Sequence, residues 1–142
     1  MQLQMTITKQ DVDEFNRLYF AEHPRATKPR IKGPQHPSLN EYIIANNMKS
    51  NQWKQNWKEF LLFMLDKYGW RNMGIERCEV TYITYFKDKR THDVDNITPK
   101  FIFDGLVEGG FLVGDDIDHI EKLIIVGKRD TVNPRIELYF NF

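Results

Sequence analysis

The chain has 142 residues, enough for about one domain with a core of its own and no need of disulfides or a structural metal. Its hydrophobic (41%) and aromatic (13%) fractions are those of a globular protein, and no apolar run approaches the ~20 residues of a membrane span. Lys+Arg and Asp+Glu balance at 20 each, which excludes binding to a polyanion by overall charge.

Residues 2–7 alternate well enough to predict a short strand, and Thr8-Lys9-Gln10-Asp11 reads as a helix start leading into Val12, Phe15, Leu18 and Tyr19 at helical spacing. The opening Met1 to Thr6 has neither the basic start nor the long apolar stretch of a secretion signal. From His23 to Pro37 the sequence interleaves Pro24, Pro29, Pro34 and Pro37 with Arg25, Lys28, Arg30 and Lys32, which predicts a basic surface loop. A phosphate-contacting arm and a solvated connector explain that loop equally well. Ser38-Leu39-Asn40-Glu41 is a capping box that opens a short helix to about Met48. A second helix follows from Asn51 to Tyr68, where Trp53, Trp57, Phe60, Leu61, Met64 and Tyr68 recur at three- and four-residue steps before Gly69 stops the pattern. Both tryptophans lie on the aliphatic stripe, so they read as core anchors.

Residues 77–86 are rich in β-branched and aromatic types and form the clearest strand, closed by the charged run Lys87-Asp88-Lys89-Arg90. Cys78 belongs to that strand's packed residues, and as the only cysteine it excludes an internal disulfide and suits a cytoplasmic protein. Further strands fit Ile120 to Lys128 and Arg135 to Asn141, with a turn at Asp130 to Pro134 that predicts a C-terminal antiparallel hairpin. The whole reads as one α+β (mixed α/β) domain over residues 1–142, a central mixed sheet flanked by helices.

Charge is unevenly spread. Residues 1–90 carry 15 basic and 10 acidic side chains, residues 91–142 carry 5 and 10. The acidic focus begins at Asp93-Val94-Asp95-Asn96, where an extended Asp-x-Asp would turn both carboxylates to one side. Two such carboxylates repel unless a cation joins them, and Mg²⁺, which takes oxygen ligands and keeps several waters, is the economical choice. Thr98-Pro99 then predicts a capped helix to about Glu108, ended by Gly109-Gly110, with Lys100, Asp104 and Glu108 on one face and Ile102, Phe103, Leu106 and Val107 buried. Lys100 there is either a partner for Asp104 or a cation for a phosphate. Asp115-Asp116 follows Gly114, with Asp118 and Glu121 nearby. An EF-hand fails because Ile97 and Thr98 stand where an oxygen ligand and a glycine are needed. Zinc fails because the four histidines and one cysteine have no ligand-like spacing. Walker A, G-x-S-x-G and dinucleotide fingerprints are absent.

The ordered set Asp93-Val94-Asp95-Asn96, Lys100, Asp104-Gly105-Leu106, Gly110-Phe111 and Asp115-Asp116 resembles the signature of the RusA-type Holliday junction resolvases, D-x-D-N, K, D-x-L, G and D-D. The close match spans about 25 residues and extends loosely over 77–140, and Pro37-Ser38-Leu39-Asn40 is similar to the family's early Pro-Ser-x-Asn segment. The step from Asn96 to Lys100 is one residue longer than the family pattern, and residues 1–36 have no counterpart in it. The resemblance implies a crossover junction endodeoxyribonuclease of DNA recombination and repair that nicks four-way junctions in symmetric pairs. It implies Mg²⁺, replaceable by Mn²⁺, on Asp93, Asp95 and Asp116, with Asp115 and Asp118 as alternatives for the third ligand, and Lys100 as a catalytic cation. It also implies a homodimer in a bacterial or phage-infected cytoplasm. Arg30, Lys32, Asn40, Lys87, Lys89 and Arg90 are the candidate DNA contacts. Two other functions fit the same residues: a nuclease of flaps, forks or other branched DNA, and a catalytically silent DNA-binding accessory of recombination.

Overall fold

Thr8 turns the first strand directly into the first helix. In the computed structural model, which describes residues 1–142, Gln2–Thr8 form β1 and Lys9–Glu22 form α1. The switch is made by a reciprocal cap: the Thr8 N–H donates to Asp11 Oδ2 at 2.9 Å and the Asp11 N–H donates to Thr8 Oγ1 at 3.3 Å, which satisfies donors the helix itself leaves open. The proline-rich stretch that follows is irregular, as its lost N–H groups require. It is nevertheless tied down: the buried Asn16 side chain of α1 accepts the Arg30 N–H at 3.0 Å and donates to the Ile31 carbonyl at 2.7 Å.

Ser38 and Glu41 form the anticipated capping box of α2, Leu39–Ile44. That helix ends earlier than the sequence suggests, because Ala45 is extended and the Asn46 side chain accepts the Lys49 N–H to start a new helix. The new helix, α3, runs Asn47–Tyr68 and stops at Gly69, whose left-handed φ of 73° suits a residue with no Cβ. Strand β2 is Cys78–Phe86, α4 is Lys100–Glu108, β3 is Ile120–Arg129 and β4 is Arg135–Asn141.

The four strands form one mixed sheet in the order β1-β4-β2-β3. Strand β4 is antiparallel to both β1 and β2, while β2 and β3 are parallel and joined through α4. The predicted C-terminal hairpin therefore does not form: β2 lies between β3 and β4. The reason is burial. Ile136, Leu138 and Phe140 of β4 are fully buried and need the centre of the sheet, whereas β3 is exposed along most of its length and takes the edge.

Strand residues that reach the core all belong to one sheet face: Met5 and Ile7, Cys78, Val80 and Tyr82, and Ile136, Leu138 and Phe140. Trp57, Phe60, Leu61, Met64 and Leu65 of α3 and Phe101, Ile102, Phe103 and Leu106 of α4 cover that face, so one core unites the α+β domain. Helices α3 and α4 pack closely because Gly105 has no side chain; a Cβ there would lie 2.5 Å from the Leu61 Cβ. No helix is long and apolar enough to cross a membrane.

Candidate metal and nucleic-acid site

The segment that follows β2 folds back over the sheet. Its anchor is Phe86, whose ring stacks on His92 at 3.7 Å between centroids, while His92 Nε2 lies 2.7 Å from Asp88 Oδ1. That contact holds the Asp88 carboxyl below its usual value, the hydrogen bond from His92 being the main cause. Asp93 is extended, and Val94–Asn96 close a single 3₁₀ turn in which the Asn96 N–H donates to the Asp93 carbonyl at 3.0 Å. Asp-x-Asp is thus not an extended pair, and the period-two argument that aligned its carboxylates does not apply. Both carboxylates are exposed, and neither takes part in an ion pair or a side-chain hydrogen bond.

Two contacts hold the turn in place. Asn96 Oδ1 accepts the Asn40 N–H of α2 at 2.8 Å, and Ile97 lies against Gly127 of β3, where a Cβ would come within 3.0 Å of its Cδ1. Helix α4 then begins at Lys100, with Pro99 rather than Thr98 in the cap position; Thr98 Oγ1 accepts only the Lys100 N–H, at 3.3 Å. Lys100 makes no ion pair with Asp104. Its Nζ stands 5.4 Å from the centroid of the Tyr42 ring, a cation over an aromatic face.

Beside Asp93 opens a hollow of about 320 Å³ whose walls include Glu41, Thr84, Asp88, His92, Asn96 and Arg90. Thr84 Oγ1 is buried there without a hydrogen-bond partner. Of these residues the sequence made Arg90 a candidate DNA contact and Asn96 part of the signature run, and it passed over Thr84. The signal for Thr84 was present, since it occupies the buried, even-numbered face of β2 among Cys78, Val80, Tyr82 and Phe86. A second concave surface, about 730 Å³, lies between the proline-rich loop and α3 and shares Gln35, His36, Pro37 and Glu41 with the first.

Asp116 is elsewhere. It sits in the turn before β3, where its Oδ1 accepts the Asp118 N–H at 2.9 Å and lies 2.7 Å from His119 Nδ1, a contact that lowers its carboxyl below the usual value. Asp115, Asp116 and Asp118 are all exposed. The Asp-x-Asp turn packs at Gly127, seven strand residues beyond Ile120, and an extended strand covers about 23 Å over that length. One chain accordingly gathers no group of three or more His, Cys, Asp or Glu side chains able to hold a metal ion. The predicted trio is divided between the two ends of β3.

Among the candidate DNA contacts, Lys87, Lys89 and Arg90 are exposed just past β2, and Lys32 is exposed on the larger concave surface. Asn40 uses its backbone on Asn96 and leaves its side chain exposed. Arg30 is not a free cation: it is ion-paired to Glu59, donates to Asn56 and lies 5.1 Å from the Tyr19 ring centroid. Its role in the loop is structural.

No protein-family model matches the chain. A search of curated proteins finds no match either.

Proposed function

We propose that this chain is a Mg²⁺-dependent endodeoxyribonuclease that resolves Holliday junctions in recombination and repair by paired symmetric nicks. What carries the reading is one juxtaposition: two exposed, uncompensated carboxylates, Asp93 and Asp95, stand a few residues before the exposed Lys100, and Asp93 lines a hollow whose wall also carries Arg90. The order of these residues is also that of the RusA-type signature.

The donor set fits the ion. Mg²⁺ is commonly bound through one or two carboxylates, with waters and substrate phosphate oxygens completing its shell. When bound it supplies Lewis acidity and a water of lowered pKa. Asp93 and Asp95 would hold it. Lys100, free of any carboxylate partner, would offset the charge that builds on a phosphate oxygen, a role typically worth a few kcal/mol of barrier. Arg90, Lys87 and Lys89 would steady the strand on the same side.

A homodimer supplies what one chain lacks. Strand β3 is a sheet edge whose open backbone invites pairing, and Leu123 and Ile124 are exposed at its middle. Antiparallel pairing of β3 with that of a second copy brings the Asp116 turn of one chain to the Asp93–Asp95 end of the other. A two-fold dimer so built presents two equivalent sites to the two strands that must be cut. Such an enzyme works on DNA in the cytoplasm of a bacterial or phage-infected cell.

The test is cleavage of a synthetic four-way junction, with Mg²⁺, with Mn²⁺ and with EDTA, beside flaps, forks and linear duplex. Symmetric metal-dependent nicks in the junction are expected. Cleavage of flaps or forks in preference would replace the substrate, and binding without any cleavage would reduce the protein to a recombination accessory.

A further inference from the structure

The larger concave surface asks for a ligand of its own. Its rim carries Lys28 and Lys32 from the proline-rich loop and Lys49 from α3, and all three are exposed without an ion pair. The only carboxylate on its wall is Glu41, whose Oε1 already accepts the Ser38 N–H at 3.1 Å. Gln52 and Asn56 add amides along the α3 side. Trp53 also lines the surface; half-buried, it carries Lys49 Nζ 5.2 Å from its ring centroid. Trp57, one turn on, is by contrast buried in the core. The loop is no floppy arm, because Asn16 and the Arg30–Glu59 pair hold its backbone against α1 and α3.

We propose that this groove binds a single, unpaired nucleic-acid strand, with Lys28, Lys32 and Lys49 on its phosphates and the Trp53 ring stacked on one base. Phosphate contacts alone would suit a duplex equally. Trp53 decides for the single strand, since only an unstacked base can lie on an aromatic face. The inference rests on the nuclease reading for its purpose: the groove shares the Gln35–Pro37 wall and Glu41 with the hollow beside Asp93, so a strand lying in it leads to the Asp93 carboxylate. Its binding chemistry does not depend on cleavage.

The experiment titrates the full chain, in EDTA, with a fluorescein-labelled oligothymidylate of about 12 nucleotides, within the site sizes of single-strand binders. Anisotropy and tryptophan fluorescence are read at several salt concentrations. The wild type should bind with quenched tryptophan emission. Reversing the three lysines, Lys28→Glu, Lys32→Glu and Lys49→Glu together, should weaken binding at least tenfold at low salt. It should also make the dependence of log K on log salt shallower by about two, since each phosphate contact to a single strand contributes about 0.7. The milder triple change to Ala should shift the slope alike, which separates lost contacts from reversed charge. Trp53→Leu should remove the quenching and leave the slope unchanged. The proposal is overturned if the triple variants bind like the wild type, if quenching survives Trp53→Leu, or if unlabelled duplex of equal length competes as well as single strand. Asp95→Asn should bind the oligonucleotide normally, because the groove does not use that carboxylate; a wild-type chain that binds the oligonucleotide but cleaves no branched DNA with Mg²⁺ would remove the nuclease reading and leave the groove standing.

Discussion

His36 Nε2 accepts the backbone N–H of Phe101 at 3.0 Å, and its other nitrogen must then carry the proton, donating from Nδ1 to the Pro37 carbonyl at 2.7 Å. The ring is buried between Trp57 and Phe101, 5.2 Å from each centroid. One neutral imidazole thus joins the proline-rich loop to the first turn of α4, where Lys100 stands.

That geometry has a consequence in pH. Burial pushes His36 down from 6.5 to about 4, against a smaller opposing effect of the Pro37 contact. Above pH 6.5 the ring is neutral in folded and unfolded chains, and its contribution to stability is complete. As pH falls from 6.5 toward 4, the unfolded chain takes up the proton and the folded one does not, so stability declines, levelling off below about 4. The loss is at most roughly 3 kcal/mol. In urea melts, His36→Gln should be the less stable protein at pH 7, and the gap to wild type should close as pH approaches 4. Parallel curves would show that His36 takes up its proton alike in the folded and unfolded chains, and would overturn the effect of burial.

Asp95→Asn and Lys100→Ala test the chemistry. Both positions are exposed and free of ion pairs, so each variant should unfold within about 0.5 kcal/mol of wild type. Asp95→Asn should abolish Mg²⁺-dependent nicking of a four-way junction. Lys100→Ala should slow it by about a hundredfold or more. Retained wild-type cleavage in the Asp95 variant would dismiss the mechanism.

The division of Asp93 and Asp95 from Asp116 predicts complementation between chains. Asp95→Asn and Asp116→Asn homodimers should each be inactive. A mixed dimer contains one site built from the intact Asp95 of one chain and the intact Asp116 of the other, so mixing the two variants should restore single nicks. If Asp116 acted within its own chain, every site in the mixture would stay damaged and nothing would be restored. Ile124→Lys, at the exposed middle of β3, should yield monomers in sedimentation and lose cleavage in parallel.

Gly105 is where α3 and α4 touch. A Cβ at this position would sit 2.5 Å from Leu61 Cβ and 3.4 Å from Lys58 Cα, and neither can move without shifting α3. Gly105→Ala should therefore destabilise the fold by about 1–3 kcal/mol despite the better helix propensity of alanine. Thermal melts read this directly, and a raised Tm would mean the helices are looser than described.

Much of the fold was written locally. The boxes Thr8–Asp11 and Ser38–Glu41 start their helices because the side chains that satisfy the open N–H groups lie three residues away in sequence. Gly69 ends α3 for a reason of its own backbone, and the buried alternation of β2 follows from period two. Asp93, Asp95 and Lys100 were visible as a group because they are near neighbours along the chain, and the proline-rich loop announced both its irregularity and its charge.

Whatever joins distant residues was decided by the tertiary structure. The C-terminal strands look like a hairpin because a good turn joins them, yet β4 pairs with β2 and β1 because its apolar side chains need the sheet centre. His36 shows no local pattern; its contact with the Pro37 carbonyl is local, but the hydrogen bond it accepts from the Phe101 N–H exists only because α4 returns across the loop. The same holds for the third aspartate. Sequence order sets Asp116 about 20 residues after Asp95, but the strand between the two ends of the crossover is rigid and extended. Its length keeps the carboxylates of one chain apart.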